Sequence, residues 1–243
     1  MKLFVKNLVN RILQVKYHPT DVFFSYHYQR HNQRRQEHLA SLELPIENST
    51  VLEVGAGIGD HTSFFLDRGC KVTSTEPRRD NLKVLRTRYP DLRVEQLDLD
   101  APDILFDETF QIVYCYGTLY HLKKPMEAIK FMANRCTKML LLETCVSMGD
   151  EQAINLCMER ADNQSQSIHG QGCRPTRNWI YNILKRHFSH VYVPTTQPWH
   201  EEFPLDWRGE PSNDLTRAVF IASRQTINSS VLFEGIIDRQ KRH

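Results

Sequence analysis

Glycines and carboxylates lie close together in one short stretch of the chain, VLEVGAGIGD at residues 51–60. Gly55 and Gly57 follow an apolar run, and glycines at such a place let a backbone approach a ligand closely. A dinucleotide site has the spacing G-x-G-x-x-G with a pyrophosphate at the helix N-terminus. Here the third glycine comes one residue early, and Glu53 and Asp60 flank the loop. Because two carboxylates repel a pyrophosphate, the stretch favours a cationic ligand; a plain tight turn is the structural alternative.

Two further acids fall where the next two predicted strands end. Glu76 lies roughly 20 residues beyond the glycines, where an acid accepts hydrogen bonds from a ribose diol. Asp98 stands where a carboxylate can take an adenine amino group, and its neighbour Leu99 can press on the ring. Since the carboxyl ends of parallel strands meet at one edge of a sheet, these residues are expected to line one pocket. The cofactor that this pocket predicts is S-adenosylmethionine, which has a nucleoside, a sulfonium, an ammonium and no phosphate.

Histidines are the candidates for a catalytic base, because a hydroxyl acceptor must lose its proton during methyl transfer. His121 follows the fourth predicted strand in TLYHLKKP, and His200 lies in TQPWHEEFPLDW. We predict both as catalytic residues; the alternatives are a histidine that anchors a helix start and a rim loop held by core tryptophans. Adjacent residues in a loop rarely point to one centre, so the run from His200 to Glu202 predicts no metal site.

Aromatic and basic residues near these histidines are predicted to bind the acceptor. Aromatic rings bury large areas against sugars and other rings, and arginines hold carboxylates or phosphates in a bidentate manner. The predicted substrate-binding residues are Tyr120, His169, Arg174, Arg177, Trp199 and Trp207. The arginines have a structural alternative as surface residues, and the tryptophans as core anchors.

The elements that would position these residues alternate along the chain. Strands and helices succeed one another between residues 51 and 145, which predicts a parallel sheet with helices on both faces. The predicted strands are 51–55, 71–76, 92–98, 110–117, 137–145, 190–194 and 217–224. Two long loop-rich stretches, 146–174 and 195–216, are predicted to be substrate lids.

Four segments together resemble the class I S-adenosylmethionine-dependent methyltransferases: VLEVGAGIGD, TSTEP, LDLDAP and FQIVYCYGTLYHLKKP. The resemblance implies a Rossmann-like, doubly wound α/β fold with a seven-stranded sheet, mostly parallel with the last strand antiparallel. We therefore expect an N-terminal helical cap (1–48), a methyltransferase domain (49–224) that carries both lids, and a C-terminal tail (225–243).

The resemblance also implies cofactor contacts at the matching positions. The methionine end would be held by Glu53, Gly55, Ala56 and Gly57, the ribose by Glu76, and adenine by Asp98 and Leu99, with Tyr116 near the methyl donor. Arg35 is predicted from its position alone, because its helix runs into the first strand, to reach the cofactor carboxylate.

Superfamily resemblance leaves the acceptor open. The lids rich in tryptophan, histidine and acids favour O-methylation of a small hydroxylated acceptor: a sugar, a glycan end or a secondary metabolite. Because YHLKKP also resembles wobble-uridine tRNA modifiers, a tRNA-modifying alkyl- or methyltransferase is the alternative, and a non-catalytic S-adenosylmethionine-binding module is another. The formal net charge of +2 predicts no DNA partner and disfavours an RNA partner.

The first 19 residues, MKLFVKNLVNRILQVKYHP, have spaced apolar residues with lysines and an arginine between them, the pattern of a basic amphipathic helix. We expect a cap or a homodimer contact there; loose attachment to a membrane surface is the alternative.

No apolar stretch approaches the roughly 20 residues of a membrane span, and the six cysteines form no CxxC pair. We therefore expect a cytoplasmic protein without an integral membrane segment.

Overall fold

The computed structural model describes residues 19–102, 107–209 and 215–243, so most of the basic N-terminal segment lies outside the described residues. Two 3-10 turns, Pro19–Phe24 and Leu119–His121, accompany the regular elements. The helices are α1 (Tyr26–Ser41), α2 (Thr62–Leu66), α3 (Arg79–Arg88), α4 (Pro125–Arg135) and α5 (Arg177–Lys185). The strands are β1 (Thr50–Val54), β2 (Lys71–Glu76), β3 (Arg93–Gln96), β4 (Phe110–Tyr116), β5 (Cys136–Val146), β6 (Leu156–Met158), β7 (Gln171–Cys173), β8 (His190–Pro194), β9 (Thr196–Gln197), β10 (Thr216–Ser223), β11 (Leu232–Glu234) and β12 (Lys241–Arg242).

One eight-stranded sheet has the order β11-β8-β10-β5-β4-β1-β2-β3. Five neighbouring strands run parallel to one another: β5, β4, β1, β2 and β3. Strand β10 is antiparallel to both β5 and β8. The predicted Rossmann-like α/β fold is confirmed, including the late antiparallel strand. The eighth strand, β11, comes from the C-terminal tail and pairs with β8.

The strand order reverses between β1 and β4, which lie side by side. A crevice opens at such a reversal outside the carboxyl ends of the strands, and ligands of open α/β sheets bind there. The strands that form it are buried on both faces, because helices cover the sheet on each side, and so they read as continuous apolar runs.

Helix α1 covers this crevice. Ser25 caps its N-terminus by accepting a hydrogen bond from the backbone N–H of Tyr28. Its inner face buries polar side chains such as His31 and Arg35 as well as Leu39. The polar part of this face lies towards the crevice, whereas Leu39, near the end of α1, packs in the hydrophobic core.

The C-terminal tail packs on the domain. The side chain of Gln240 is buried; its Oε1 accepts from Trp207 Nε1 (2.7 Å) and its Nε2 donates to the carbonyl of Pro194 (2.6 Å). Within residues 19–102, 107–209 and 215–243, no helix is both long and apolar enough to cross a membrane.

Candidate active site

Two adjoining cavities occupy the crevice between β1 and β4. The outer cavity has a volume of about 640 Å³ including its mouth, and the inner cavity about 350 Å³. Phe23, Tyr28 and Gly55 line both. The outer cavity falls in the size range of small-molecule and cofactor sites.

The glycine loop forms the floor between the two cavities. Gly55 has φ +66°, and a Cβ there would lie 2.1 Å from Thr118 Oγ1. Gly57 has φ +59°, and a Cβ there would meet only Phe23, at 3.4 Å. Gly59 instead packs against Leu85 and does not line either cavity. The first two glycines therefore serve the site, whereas the third serves packing of α3.

The outer cavity has the properties of a nucleoside pocket. Glu76 lies in its wall and accepts hydrogen bonds from the backbone N–H of Gly57 (3.0 Å) and Arg78 (3.1 Å) and from Asn81 Nδ2 (3.0 Å). Leu99 is buried beside it and gives an apolar wall. Among the described residues, Asn81 Oδ1 and Gln164 Oε1 are buried acceptors without a hydrogen-bond partner. Buried acceptors without partners are costly, so this lining fits a ligand with amino and hydroxyl donors.

A lid segment, residues 146–174, closes the outer cavity. His169 Nε2 lies 2.7 Å from Asp98 Oδ2, so these two predicted residues pair with each other at the predicted adenine end. Arg78 Nη2 donates to the carbonyl oxygens of Ala161, Gln166 and Ser167, at 3.0 to 3.1 Å. The lid is therefore held to the start of α3 by this guanidinium, together with Asn81 Nδ2, which donates to the carbonyl of Gln164 at 3.3 Å.

The inner cavity has the properties of an amino-acid pocket. Arg35 is buried there, with Nη2 3.3 Å from Glu143 Oε2 and with its Nε lacking a partner among the described residues. The hydroxyl of Tyr116 is also buried without a partner. Two unsatisfied donors at one end fit a carboxylate, and a carboxylate is what the amino-acid end of S-adenosylmethionine carries.

Glu53 lines the inner cavity but is held by protein groups. Its Oε2 accepts from Thr62 Oγ1 and Ser74 Oγ, both at 2.6 Å, which ties β1 to β2 and α2. Burial raises the pKa of Glu53 to about 7 despite these hydrogen bonds. A cation bound nearby would therefore favour ionisation of this carboxyl.

His121 lies in the wall of the outer cavity with an acid behind it. Its Nδ1 is 2.5 Å from Glu159 Oε2, and Glu159 also accepts from Arg174 Nη2 (3.1 Å) and the backbone N–H of Ser167 (2.8 Å). Burial lowers the pKa of His121, although Glu159 opposes that shift. A neutral imidazole whose Nδ1–H is held by a carboxylate has Nε2 free to accept a proton.

A chain of buried charges lies beside the inner cavity. Arg217 donates to Glu143 Oε1 (3.1 Å), to the hydroxyl of Tyr120 (3.1 Å) and to Glu202. Because Glu143 also contacts Arg35, two arginines and two glutamates neutralise one another in a region with almost no exposure to solvent. Tyr120 thus lies in this network, beneath the guanidinium of Arg174 at 5.1 Å.

Seven of the predicted residues line neither cavity: Tyr120, His169, Arg174, Arg177, Trp199, His200 and Trp207. The guanidinium of Arg177 packs over Trp207 (4.1 Å) and donates to the carbonyl of Ile237. Trp199 is 56% exposed and donates to the carbonyl of His243. His200 is buried beside His31, and both lie next to Glu202.

Helix α1 contributes two residues to the inner cavity that were not predicted, Tyr28 and Asn32, which line it together with Arg35. Their spacing of four and three residues places them on one face of a helix, so the signal was present in the sequence. The lid residues Gln164 to Ile168 were also missed as cavity lining, and their polar composition gives no comparable signal.

Comparison with known proteins agrees with this geometry. Residues 51–139 match the sequence profile of a family described as "Methyltransferase domain". Residues 51–139 thus form a methyltransferase domain, and the match supports the predicted resemblance to the class I S-adenosylmethionine-dependent methyltransferases. The cofactor of this family is S-adenosylmethionine, and the buried donors and acceptors of the two cavities fit it.

Curated relatives of the methyltransferase domain include two named tRNA U34 carboxymethyltransferase. One, from Pseudoalteromonas atlantica, is 31% identical over 134 residues, which is 53% of this chain and 40% of the relative. Another, from Vibrio vulnificus, is 27% identical over 204 residues, 74% of this chain and 63% of the relative. The chain thus spans about half the length of these relatives.

Solved structures similar to the methyltransferase domain share its fold. The N-terminal domain of EvdMO1, crystallised in the presence of SAH and D-fucose, has a TM-score of 0.61 and 19% identity, covering 83% of this chain and 85% of that one. Magnesium protoporphyrin IX methyltransferase from Synechocystis PCC 6803, with bound SAM, has a TM-score of 0.51 and 13% identity, covering 81% and 80%.

Proposed function

We propose that this enzyme transfers an alkyl group from an S-adenosylmethionine-type donor to the uridine at position 34 of a tRNA. The observation that carries the proposal is the match to curated relatives of that name, at 31% identity over 134 residues. This function was the alternative at the level of sequence, and the relatives favour it over O-methylation of a small acceptor.

In this proposal the two cavities hold the donor in an extended conformation. Glu76, Asp98 and Leu99 contact the nucleoside in the outer cavity, and Arg35 and Tyr116 contact the amino-acid end in the inner cavity. Gly55, which lines both, lies where the sulfonium and its alkyl group would be. Such positioning is itself a large part of catalysis of an in-line displacement.

His121 is the proposed base. It is the one predicted catalytic histidine in the cavity wall, and Glu159 orients its ring so that Nε2 is free. A histidine that remains neutral near pH 7 can take the proton of an acceptor O–H or N–H. The acceptor nucleoside would enter the site unstacked from its neighbours, as in enzymes that modify a base after it has left the stack.

The decisive experiment compares acceptors with the purified chain. Total tRNA from bacterial cells is incubated with S-adenosylmethionine, or in parallel with the derivative whose methyl carries a carboxylate, and S-adenosylhomocysteine release is measured. Nucleoside mass spectrometry of the tRNA then locates the added group. We expect release that depends on tRNA and a mass increase at position 34; release without a change in the tRNA would contradict the proposal.

Small hydroxylated acceptors form the second arm of the same assay. The near-balanced charge of the chain, with a formal net charge of +2, favours them over a polyanion. A panel of sugars and phenols that supports turnover when tRNA does not would establish this second function instead.

A further inference from the structure

Three histidines meet between helix α1 and the loop that follows β9. His27 and His31 are four residues apart and therefore project from the same side of α1, and His200 projects from the loop towards both. The ring centroids of His31 and His200 are 4.7 Å apart, and those of His27 and His200 are 5.5 Å apart. We call these residues the histidine cluster.

Two carboxylates face the histidine cluster. The oxygens of Glu202 lie 3.5 Å from His27 Nε2 and 3.8 Å from His31 Nε2. Glu201 Oε1 lies 3.7 Å from His200 Nε2. In each of the two triads, His31–His200–Glu202 and His27–His200–Glu201, the three candidate ligand atoms lie within 4.8 Å of one another.

The nitrogens at the centre of the histidine cluster lack partners. His31 is 4% exposed and His200 is 2% exposed, and neither Nε2 has a hydrogen bond to any described residue. Polar atoms buried without a partner are rare in folded proteins, and two of them facing the carboxylates of Glu202 and Glu201 indicate a ligand.

We propose that His31, His200 and Glu202, with His27 as a fourth ligand, bind a transition-metal dication of the Zn²⁺ type. Zinc bonds of about 2.0–2.1 Å in a tetrahedron separate neighbouring ligand atoms by about 3.4 Å. The nitrogen–oxygen distances of 3.5 to 3.8 Å need only a small contraction to reach that value. Imidazole nitrogens select zinc, cobalt, nickel or copper over magnesium and calcium.

Binding through His200 Nε2 requires a change of tautomer. The ring's Nδ1 now accepts a 3.3 Å hydrogen bond from the backbone N–H of Glu202. Ligation places the proton on Nδ1, so the ion displaces this hydrogen bond, which is long and therefore weak.

The ion would fix α1 to the remainder of the site. Glu202 also accepts a hydrogen bond from Arg217, which in turn donates to Glu143 and to the hydroxyl of Tyr120. A metal-bound Glu202 held by Arg217 has the second partner that ligating carboxylates usually have. Because α1 carries Arg35, the ion would hold one wall of the inner cavity in place. The spacing of His200, Glu201 and Glu202 predicted no metal site, because the sequence does not show that His27 and His31 of α1 meet this loop in the fold.

Metal binding to the untagged full chain tests the proposal. The protein is stripped with a chelator and titrated with Co²⁺, whose visible absorption reports tetrahedral coordination, and with Zn²⁺, whose content is measured after dialysis. We expect one ion per chain for the wild type. We expect affinity to fall about tenfold or more in His31→Gln and His200→Gln.

Two further variants make the result unambiguous. His38→Gln removes another buried histidine of α1, whose Nε2 contacts Thr196, and should bind metal like the wild type. His27→Gln changes a side chain that is 63% exposed, so it should fold normally and still bind metal several-fold more weakly. Absence of Co²⁺ binding to the stripped wild type, or equal binding by all four variants, would overturn the proposal.

Discussion

Several residues that line the two cavities stand at or just after the ends of strands. Gly55, Glu76, Asp98 and Leu99 all line the cavities, because a strand end fixes where its next residue lies. The pairing of Asp98 with His169 was not predictable, since it depends on how a long loop folds back over the sheet.

Gly55 tolerates no side chain. In Gly55→Ala the new Cβ would lie 2.1 Å from Thr118 Oγ1 at a φ of +66°, so Thr118 must move and the backbone is strained. We expect a loss of about 1–3 kcal/mol in the free energy of unfolding and loss of cofactor binding. Denaturant titration and calorimetry with S-adenosylmethionine measure both. Gly57→Ala has similar backbone strain, at φ +59°, but its Cβ meets only Phe23 at 3.4 Å, so the comparison isolates the clash with Thr118; equal losses in the two variants would contradict a role for that clash.

The carboxyl of Glu53 makes stability depend on pH. Its pKa is about 7 in the folded chain, because of burial, against an ordinary value of about 4.3 when unfolded. The folded state therefore binds an extra proton between these values, so its contribution to stability is present below about pH 4.3 and is lost as pH rises through 7. Denaturant titrations across this window should show a less negative slope against pH for Glu53→Gln. An unchanged slope would show that Glu53 titrates normally.

His121 and Glu159 act as a pair in the proposed reaction. We expect His121→Gln to lower kcat by about 10²–10⁴-fold and Glu159→Gln to lower it by roughly 10–100-fold, because the imidazole loses its orienting acceptor. The Kd for S-adenosylmethionine should stay within a few-fold, since neither residue is assigned to the cofactor. His190→Gln removes a histidine from another histidine–glutamate contact, with Glu234 at 3.2 Å, and should leave turnover unchanged.

At the scale of elements, the strands were predictable and the lid was not. β2 and β8 have the predicted bounds, because short runs rich in valine, threonine and tyrosine indicate strands. The lid contains the hairpin of β6 and β7, each three residues long, and its position depends on distant contacts such as those of Arg78. A polar segment with few apolar residues does not show, from its sequence, where on the domain it will pack.

Arg78 should control closure of the lid. Arg78→Lys replaces a guanidinium that reaches three carbonyls with a single ammonium, so the lid should open more often. We expect faster hydrogen exchange at residues 161–168 and weaker cofactor binding, by several-fold. Arg79→Lys, an exposed neighbour, is the matched control. Exchange that stays at the wild-type rate would show that other contacts hold the lid.

At the scale of the whole molecule, the C-terminal tail (225–243) is held to the domain by contacts that its polar sequence does not predict. Replacing the buried Gln240 by alanine leaves the indole N–H of Trp207 and the carbonyl of Pro194 without partners. Each buried group left unpaired costs about 1–3 kcal/mol, so Gln240→Ala should unfold at lower denaturant concentration, whereas the exposed Gln225→Ala should not. Because Trp207 packs under Arg177 and away from both cavities, the affinity for S-adenosylmethionine should be unchanged in folded Gln240→Ala. A variant with wild-type stability and impaired cofactor binding would mean that the tail serves the site directly and not the stability of the domain.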